Sequence, residues 1–207
     1  MTAKGSKGKN RKQELINATL DCIEKEGLQK TTVRNVAEYA NVTNGLIRFY
    51  FSGKDEMLRA AYSALLEQMY VKARIDVDDT LVCAKTRLRN FIQLTLSAPI
   101  VSPRTVLLWA NFLPMTYIDP EMAAIRSHEY AKTTKILEPL IRDALAVDGI
   151  NVSDHDCEIS AIKINALIDG LWLEGSMAGY KFKEHELVNI GIESASAMLS
   201  IKLEAIN

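Results

Sequence analysis

"TTVRNVAEYANVTNGLIRFYFSGKDEML", residues 31–58, holds two short helical patterns set about three residues apart. Thr31 or Thr32 can cap the first through a side-chain oxygen, and Val33, Val36, Ala37 and Ala40 follow at i, i+3, i+4 and i+7, which puts them on one face. Asn41 comes next, and asparagine tolerates a left-handed backbone better than most residues. Thr43 then caps a second short helix that runs through Phe51. In that helix Ile47 and Phe51, four residues apart, face a small core together with Val42, leaving Thr43, Asn44, Arg48 and Phe49 on the outside. Two short helices joined by a tight turn make a helix-turn-helix, whose last helix can enter a major groove.

The outward residues have the chemistry such a helix needs. Asn44 and Arg48 offer hydrogen bonds to base edges or phosphates, Gly45 lets the backbone approach closely, and Phe49 can touch a thymine methyl or the sugar wall. Tyr50 and Lys54 reach flanking phosphates, and Arg34, in the first turn of the first short helix, can hold the opposite phosphate strand. The plainer reading, a three-helix subdomain with a solvated polar face, accounts less well for this spacing.

Outward from this stretch the chain reads as all-α, with apolar positions at helical rather than alternating spacing and no internal repeat. A first helix is predicted over Lys9–Glu26, with Leu15, Ile16, Thr19, Leu20 and Ile23 on one face and Gly27 as its stop. After the helix-turn-helix, Ser52 and Asp55 form an S-x-x-D start for a long helix reaching about Ala73, with Met57, Leu58, Ala61, Leu65 and Met69 on its buried side. Further helices are predicted over 79–97, 104–117, 120–148, 154–179 and 185–205. Ser102-Pro103 and Asp119-Pro120 are cap-then-proline starts, and Pro114 and Pro139 should break or kink the helices that contain them.

With 207 residues, 48% of them hydrophobic, the chain can bury a sizeable core. No apolar run approaches a membrane span, and the basic start lacks the hydrophobic core of a signal peptide, so a cytoplasmic protein is expected. Net charge is −1, but residues 1–60 carry eleven Lys or Arg against seven Asp or Glu, while the rest carry fourteen against nineteen. The basic end is the one expected to meet nucleic acid. Cys22, Cys83 and Cys157 are far apart and form no CxxC pair, which points to buried free thiols rather than a disulfide framework or a zinc knuckle.

Residues 10–60 resemble the DNA-binding domain of TetR-type repressors, through the Gly27 stop, the Thr31-Thr32 cap, Val36-Ala37, Val42-Thr43, Gly45, the Tyr50-Phe51 pair, Lys54 and Leu58. The resemblance implies that Arg34, Thr43, Asn44, Gly45, Arg48, Phe49, Tyr50 and Lys54 hold the positions from which that family touches DNA. Asn41 replaces a usual turn glycine, and Arg48 stands where an aromatic residue is common, so base preference does not carry over. It further implies a division into a basic flexible leader (1–9), a helix-turn-helix domain (10–55) and a helical effector-binding and dimerisation domain (56–207). In such a protein the last two helices pair with those of a second subunit, a small-molecule effector releases operator DNA, and no cofactor is required.

"ALIDGLWL", residues 166–173, is similar to the same segment of the choline-responsive BetI-type regulators. Asp169 is a carboxylate in an apolar run and needs a partner, either a structural cation or a cationic ligand. Trp109, Phe112, Tyr117, Tyr130 and Trp172 are candidates for an aromatic cage that would hold a quaternary ammonium by cation–π attraction, although aromatics at helical spacing are more often core. The stripes Ile159, Ile162, Ala166, Gly170, Leu173, Met177 and Leu187, Ile190, Ser194, Met198, Ile201 would expose too much apolar surface on a monomer. Asp154, His155, Asp156 and Cys157 are consecutive on a helix and point in different directions, so they read as a capped helix start rather than a metal site. No acid, base and nucleophile set suggests an enzyme.

Overall fold

The computed structural model describes residues 3–71, 81–177 and 182–206. Among them every regular element is a helix: α1 (Ala3–Glu26), α2 (Val33–Tyr39), α3 (Asn44–Tyr50), α4 (Lys54–Val71), α5 (Ala84–Thr95), α6 (Pro103–Phe112), α7 (Met115–Ile118), α8 (Pro120–Val147), α9 (Asp154–Ser176) and α10 (Glu186–Leu199). The chain forms two compact units, Met1–Leu66 with Leu107–Arg126, and Glu67–Val106 with Ser127–Asn207.

The first unit is built around Leu15, Ile16, Ala18 and Cys22 of α1, Val36 and Ala37 of α2, Ile47 and Phe51 of α3 and its cap, and Met57 of α4, all buried together. Its local starts follow side-chain chemistry. The Asn35 N–H donates to the Thr32 hydroxyl oxygen, and the Leu46 N–H donates to that of Thr43. Asn41 takes a left-handed backbone with φ of 51°, the role its side chain suits. At α4 the reach-back differs from the expected S-x-x-D: the Ser52 N–H donates to the Glu56 carboxylate at 2.6 Å, so Glu56 rather than Asp55 closes the helix start. Residues 107–126 join this unit through long-range contacts. Arg59 of α4 holds Asp119 through its Nε at 2.8 Å and its Nη2 at 3.1 Å, and reaches Glu121 through its Nη1 at 2.8 Å. Tyr62 and Phe112 pack ring against ring, with centroids 5.1 Å apart.

The second unit centres on α5, α9 and α10, which pack on one another. Leu88, Phe91 and Ile92, Ile164, Ile168 and Trp172, and Leu187, Val188, Ile192 and Ala195 are buried there. A Cβ at Gly191 would come within 2.5 Å of a terminal methyl of Leu96, so α10 packs close here and any larger residue would make that side chain shift.

Several expectations need correction. α1 continues back to Ala3 through residues expected to be a loose leader; extending an existing helix is far easier than nucleating one. Pro114 does divide the predicted 104–117 helix into α6 and α7, but α8 runs without interruption across Pro139. Leu137, Leu140 and Ile141 are buried on both sides of that proline and hold the helix in place. α10 ends at Leu199, not 205, because Ser200 turns left-handed with φ of 55°. The tail then folds back, its Ile206 N–H donating to the Asn189 side-chain oxygen and Leu203 buried. Cys83 is exposed, whereas Cys22 and Cys157 are buried. α5 begins at Ala84 rather than at 79, and α9 ends at Ser176 rather than at 179, where Met177 turns extended; the expected boundary at Ala73 lies outside the described residues.

Candidate nucleic-acid interface and sensor residues

α3 is held from below and open above. Ile47 and Phe51 are fully buried and Val42 packs against the same core, while Thr43, Asn44, Gly45 and Arg48 are exposed and Phe49 is 78% exposed. Tyr50, half-buried, meets the Phe49 ring edge to face at 5.1 Å. Three core anchors fix the rotation of the helix, so the outward set is fixed as well. A Cβ at Gly45 would meet nothing nearer than the Thr43 hydroxyl at 3.9 Å; internal packing therefore does not call for a glycine there. On α2 the Arg34 side chain is 80% exposed and pairs with Glu38 one turn on, an exposed pair that a phosphate can replace. Lys54, half-buried, opens α4.

The residues expected to bind a ligand fall in different settings. In the first unit Phe112 is fully buried against Tyr62, Trp109 is half-buried, and Tyr117 is 88% exposed on the short α7. In the second, Trp172 is core, its indole N–H donating to the Ile100 carbonyl at 2.9 Å, and Tyr130 is exposed. Asp169 is exposed on α9 and accepts from the Asn165 side chain at 3.3 Å. The single chain thus does not bury the charge whose desolvation seemed to demand a partner. The run 154–157 behaves as a helix start: the Asp156 N–H donates to Ser153, Arg142 pairs with Asp154, and the buried Cys157 thiol points to the Glu138 carbonyl.

Sequence reasoning passed over three groups. Tyr62 is fully buried on α4, and its position four residues after Leu58 and four before Leu66 was a signal that the apolar stripe is wider than Leu58, Ala61 and Leu65 suggest. Glu129 is a buried carboxylate on α8, held by the Lys132 ammonium one turn on. Arg59 pairs across sixty positions of sequence, and no local pattern announces that. The bidentate guanidinium holds the Asp119 carboxyl below its ordinary range.

An exposed polar and aromatic helix, following a tight turn and anchored on a three-helix core, defines a helix-turn-helix DNA-binding regulator. Residues 15–61 match the bacterial regulatory proteins of the tetR family, and residues 84–199 match the C-terminal part of BetI-type transcriptional repressors. The chain belongs to the TetR family, with a BetI-type C-terminal part. It is 29% identical over 178 residues to the HTH-type transcriptional regulator BetI of Burkholderia thailandensis, covering 83% of this chain and 85% of that one. A transcriptional regulator from Pseudomonas aeruginosa PAO1 superposes with a TM-score of 0.83 at 28% identity, over 93% of this chain and 92% of that one. A regulator from Saccharomonospora viridis in complex with choline shares the fold, with a TM-score of 0.70 at 17% identity over 93% and 96% of the two chains. The protein is thus a transcriptional regulator rather than an enzyme. Among the described residues, no helix is long and apolar enough to cross a membrane.

Proposed function

We propose that this regulator is a repressor that binds an imperfect palindromic operator as a two-fold dimer and is released by a small quaternary ammonium effector, choline or a close relative. The observation that carries the DNA reading is the exposed row Thr43, Asn44, Gly45, Arg48 and Phe49 above the buried Ile47 and Phe51. Arg34, Tyr50 and Lys54 flank that row and take phosphates. In this reading residues 10–55 read DNA, while residues 56–207 hold the effector and the dimer surface.

Support for the dimer comes from α9 and α10. Ile159, Ile162, Gly170 and Met177 on the first, and Ile190 and Met198 on the second, stay exposed although other apolar faces of the same helices are buried. A Cβ at Gly170 would meet nothing within 4 Å in the single chain, leaving room for a partner helix to come close. Four helices, two from each copy, would then bury these exposed side chains, Leu187 and Ile201 of the expected stripe being buried already within the single chain, and hold two copies of α3 at the spacing of successive major grooves.

Support for the effector comes from the BetI-type match and from the choline held by the S. viridis regulator. Trp109, Phe112, Tyr117, Tyr130, Asp169 and Trp172 are the residues to mutate first for it. Binding would tilt α4 and change the spacing of the two recognition helices. Release needs weaker effector affinity in the DNA-bound state than in the free state, a coupling of about 1–3 kcal/mol.

The test is binding of the purified protein to the DNA flanking its own gene, titrated at fixed salt with and without choline and betaine aldehyde. Saturable binding relieved by either compound is expected. Saturable binding indifferent to both would discard the effector and keep the regulator. Absence of specific binding at that DNA would move the operator elsewhere or sink the repressor role.

A further inference from the structure

Four buried threonine hydroxyls among the described residues follow a common rule, which the buried hydroxyls of Tyr62 and Ser176 break. Thr19, Thr31, Thr95 and Thr133 each donate to a carbonyl one turn back, at distances between 2.8 and 3.1 Å. Tyr62 is as fully buried as any of them, yet its hydroxyl finds no hydrogen-bond partner among the described residues. Held at the end of a phenyl ring, that oxygen lies too far from its own helix to borrow a backbone carbonyl. Phenylalanine would pack against Phe112 equally well and would leave no polar atom stranded. The hydroxyl therefore has no structural task in the protein by itself, and a buried polar group without a partner is unfavourable to keep.

We propose that the Tyr62 hydroxyl is the hydrogen-bond contact for the oxygen of the effector, and that it separates a quaternary ammonium alcohol or aldehyde from quaternary ammonium ions lacking that oxygen. This rests on the effector reading above and adds to it the residue that sets specificity. Burial raises the phenol's pKa, so at neutral pH the group is uncharged and can donate to an alcohol or carbonyl oxygen or accept from an alcohol. The charge of Arg126 acts on the same hydroxyl and opposes that rise. A cation is thereby turned oxygen-first toward Tyr62, with its ammonium end away from the arginine. The tilted Phe112 ring, 33° from that of Tyr62, gives the pair an aromatic surface next to the contact.

The experiment compares thermal melts of the full-length wild type and Tyr62→Phe, each titrated with choline and with propyltrimethylammonium, in which a methyl group stands in place of the hydroxyl. Without ligand, Tyr62→Phe should melt at or above the wild type, since it loses only a stranded oxygen. Choline affinity, read from the concentration dependence of the melting temperature, should fall about tenfold, as expected for one lost hydrogen bond. Affinity for propyltrimethylammonium should be the same in both proteins. Equal choline affinity in the two proteins would remove Tyr62 from the site and leave the effector reading standing. A wild type that choline does not stabilise would overturn the effector reading and this inference with it. A ligand-free Tyr62→Phe that melts well below the wild type would show that the hydroxyl has an internal partner, and the inference would fail on that ground.

Discussion

Arg48 stands on the outward face of α3 and Lys54 in the first turn of α4, so in the proposed reading the two cations would report on different parts of a DNA contact. A guanidinium aimed at base edges discriminates between sequences, whereas an ammonium on a phosphate does not. Arg48→Ala should cost about 1–3 kcal/mol of preference for the operator over unrelated DNA. Lys54→Ala should weaken both alike and lower the salt dependence by about one counterion. Competition binding at several salt concentrations separates them, and operator preference unchanged in Arg48→Ala would mean that α3 lies differently in the groove. Gly45 makes a second test. Alanine there meets no steric obstacle within the protein, so it should stabilise α3 by about 0.5–1 kcal/mol. If the backbone at that point lies against DNA, the same variant melts higher and binds the operator less well. A variant that gains stability and keeps full affinity would show that Gly45 does not approach the duplex.

Among the elements, α4 is tied to the start of α8 by the fork between Arg59 and Asp119, both largely shielded from solvent. Hydrogen bonding from Arg59 depresses the Asp119 pKa, and the N–H of Ser52 does the same for Glu56 at the start of α4. A carboxylate whose pKa is lower in the folded than in the unfolded chain adds stability above its ordinary range and loses it as pH falls through the depressed value. Asp119→Asn should therefore melt below the wild type at pH 7, and the two curves should converge as pH drops below about 4. A gap that persists undiminished into acid would mean that Asp119 acts through packing rather than charge. This fork also shows which parts of the fold the sequence discloses. Thr32, Thr43 and Ser153 cap helices, and Asn41 turns left-handed, because each acts on backbone within a few residues of itself. The outward face of α3 was legible for the same reason, since Ile47 and Phe51 fix it locally. Arg59 with Asp119 and Tyr62 with Phe112 join residues fifty or more positions apart, and nothing near either partner announces the other. The end of α10 escaped for a different reason. Ile201 and Leu203 are apolar and buried, but in a returning tail, and burial alone does not distinguish a tail from another helical turn.

For the molecule as a whole, the dimer proposed through the exposed apolar side chains of α9 and α10 would set how the two recognition helices meet DNA. One copy of α3 reaches one half-site, and a palindrome is read only by two copies held at a fixed separation. Ile162 is 38% exposed in the middle of the α9 stripe, close to Ile159, Ala166 and Gly170 in the helical repeat. Burying an isoleucine against a partner contributes about 1.5–3 kcal/mol. A glutamate at that place would be an unpaired charge in the interface, on both copies at once because the interface repeats each residue by symmetry. In the separate chain the same glutamate would remain in water and cost little. Ile162→Glu should therefore leave helical content unchanged while shifting the mass seen by analytical ultracentrifugation from dimer to monomer. Operator affinity should fall with it, whereas weak salt-sensitive binding to unrelated DNA should persist, since each free copy keeps Arg34, Arg48 and Lys54. A variant that stays dimeric would place the interface on some other surface. One that becomes monomeric yet holds the operator at full strength would show that a single recognition helix suffices.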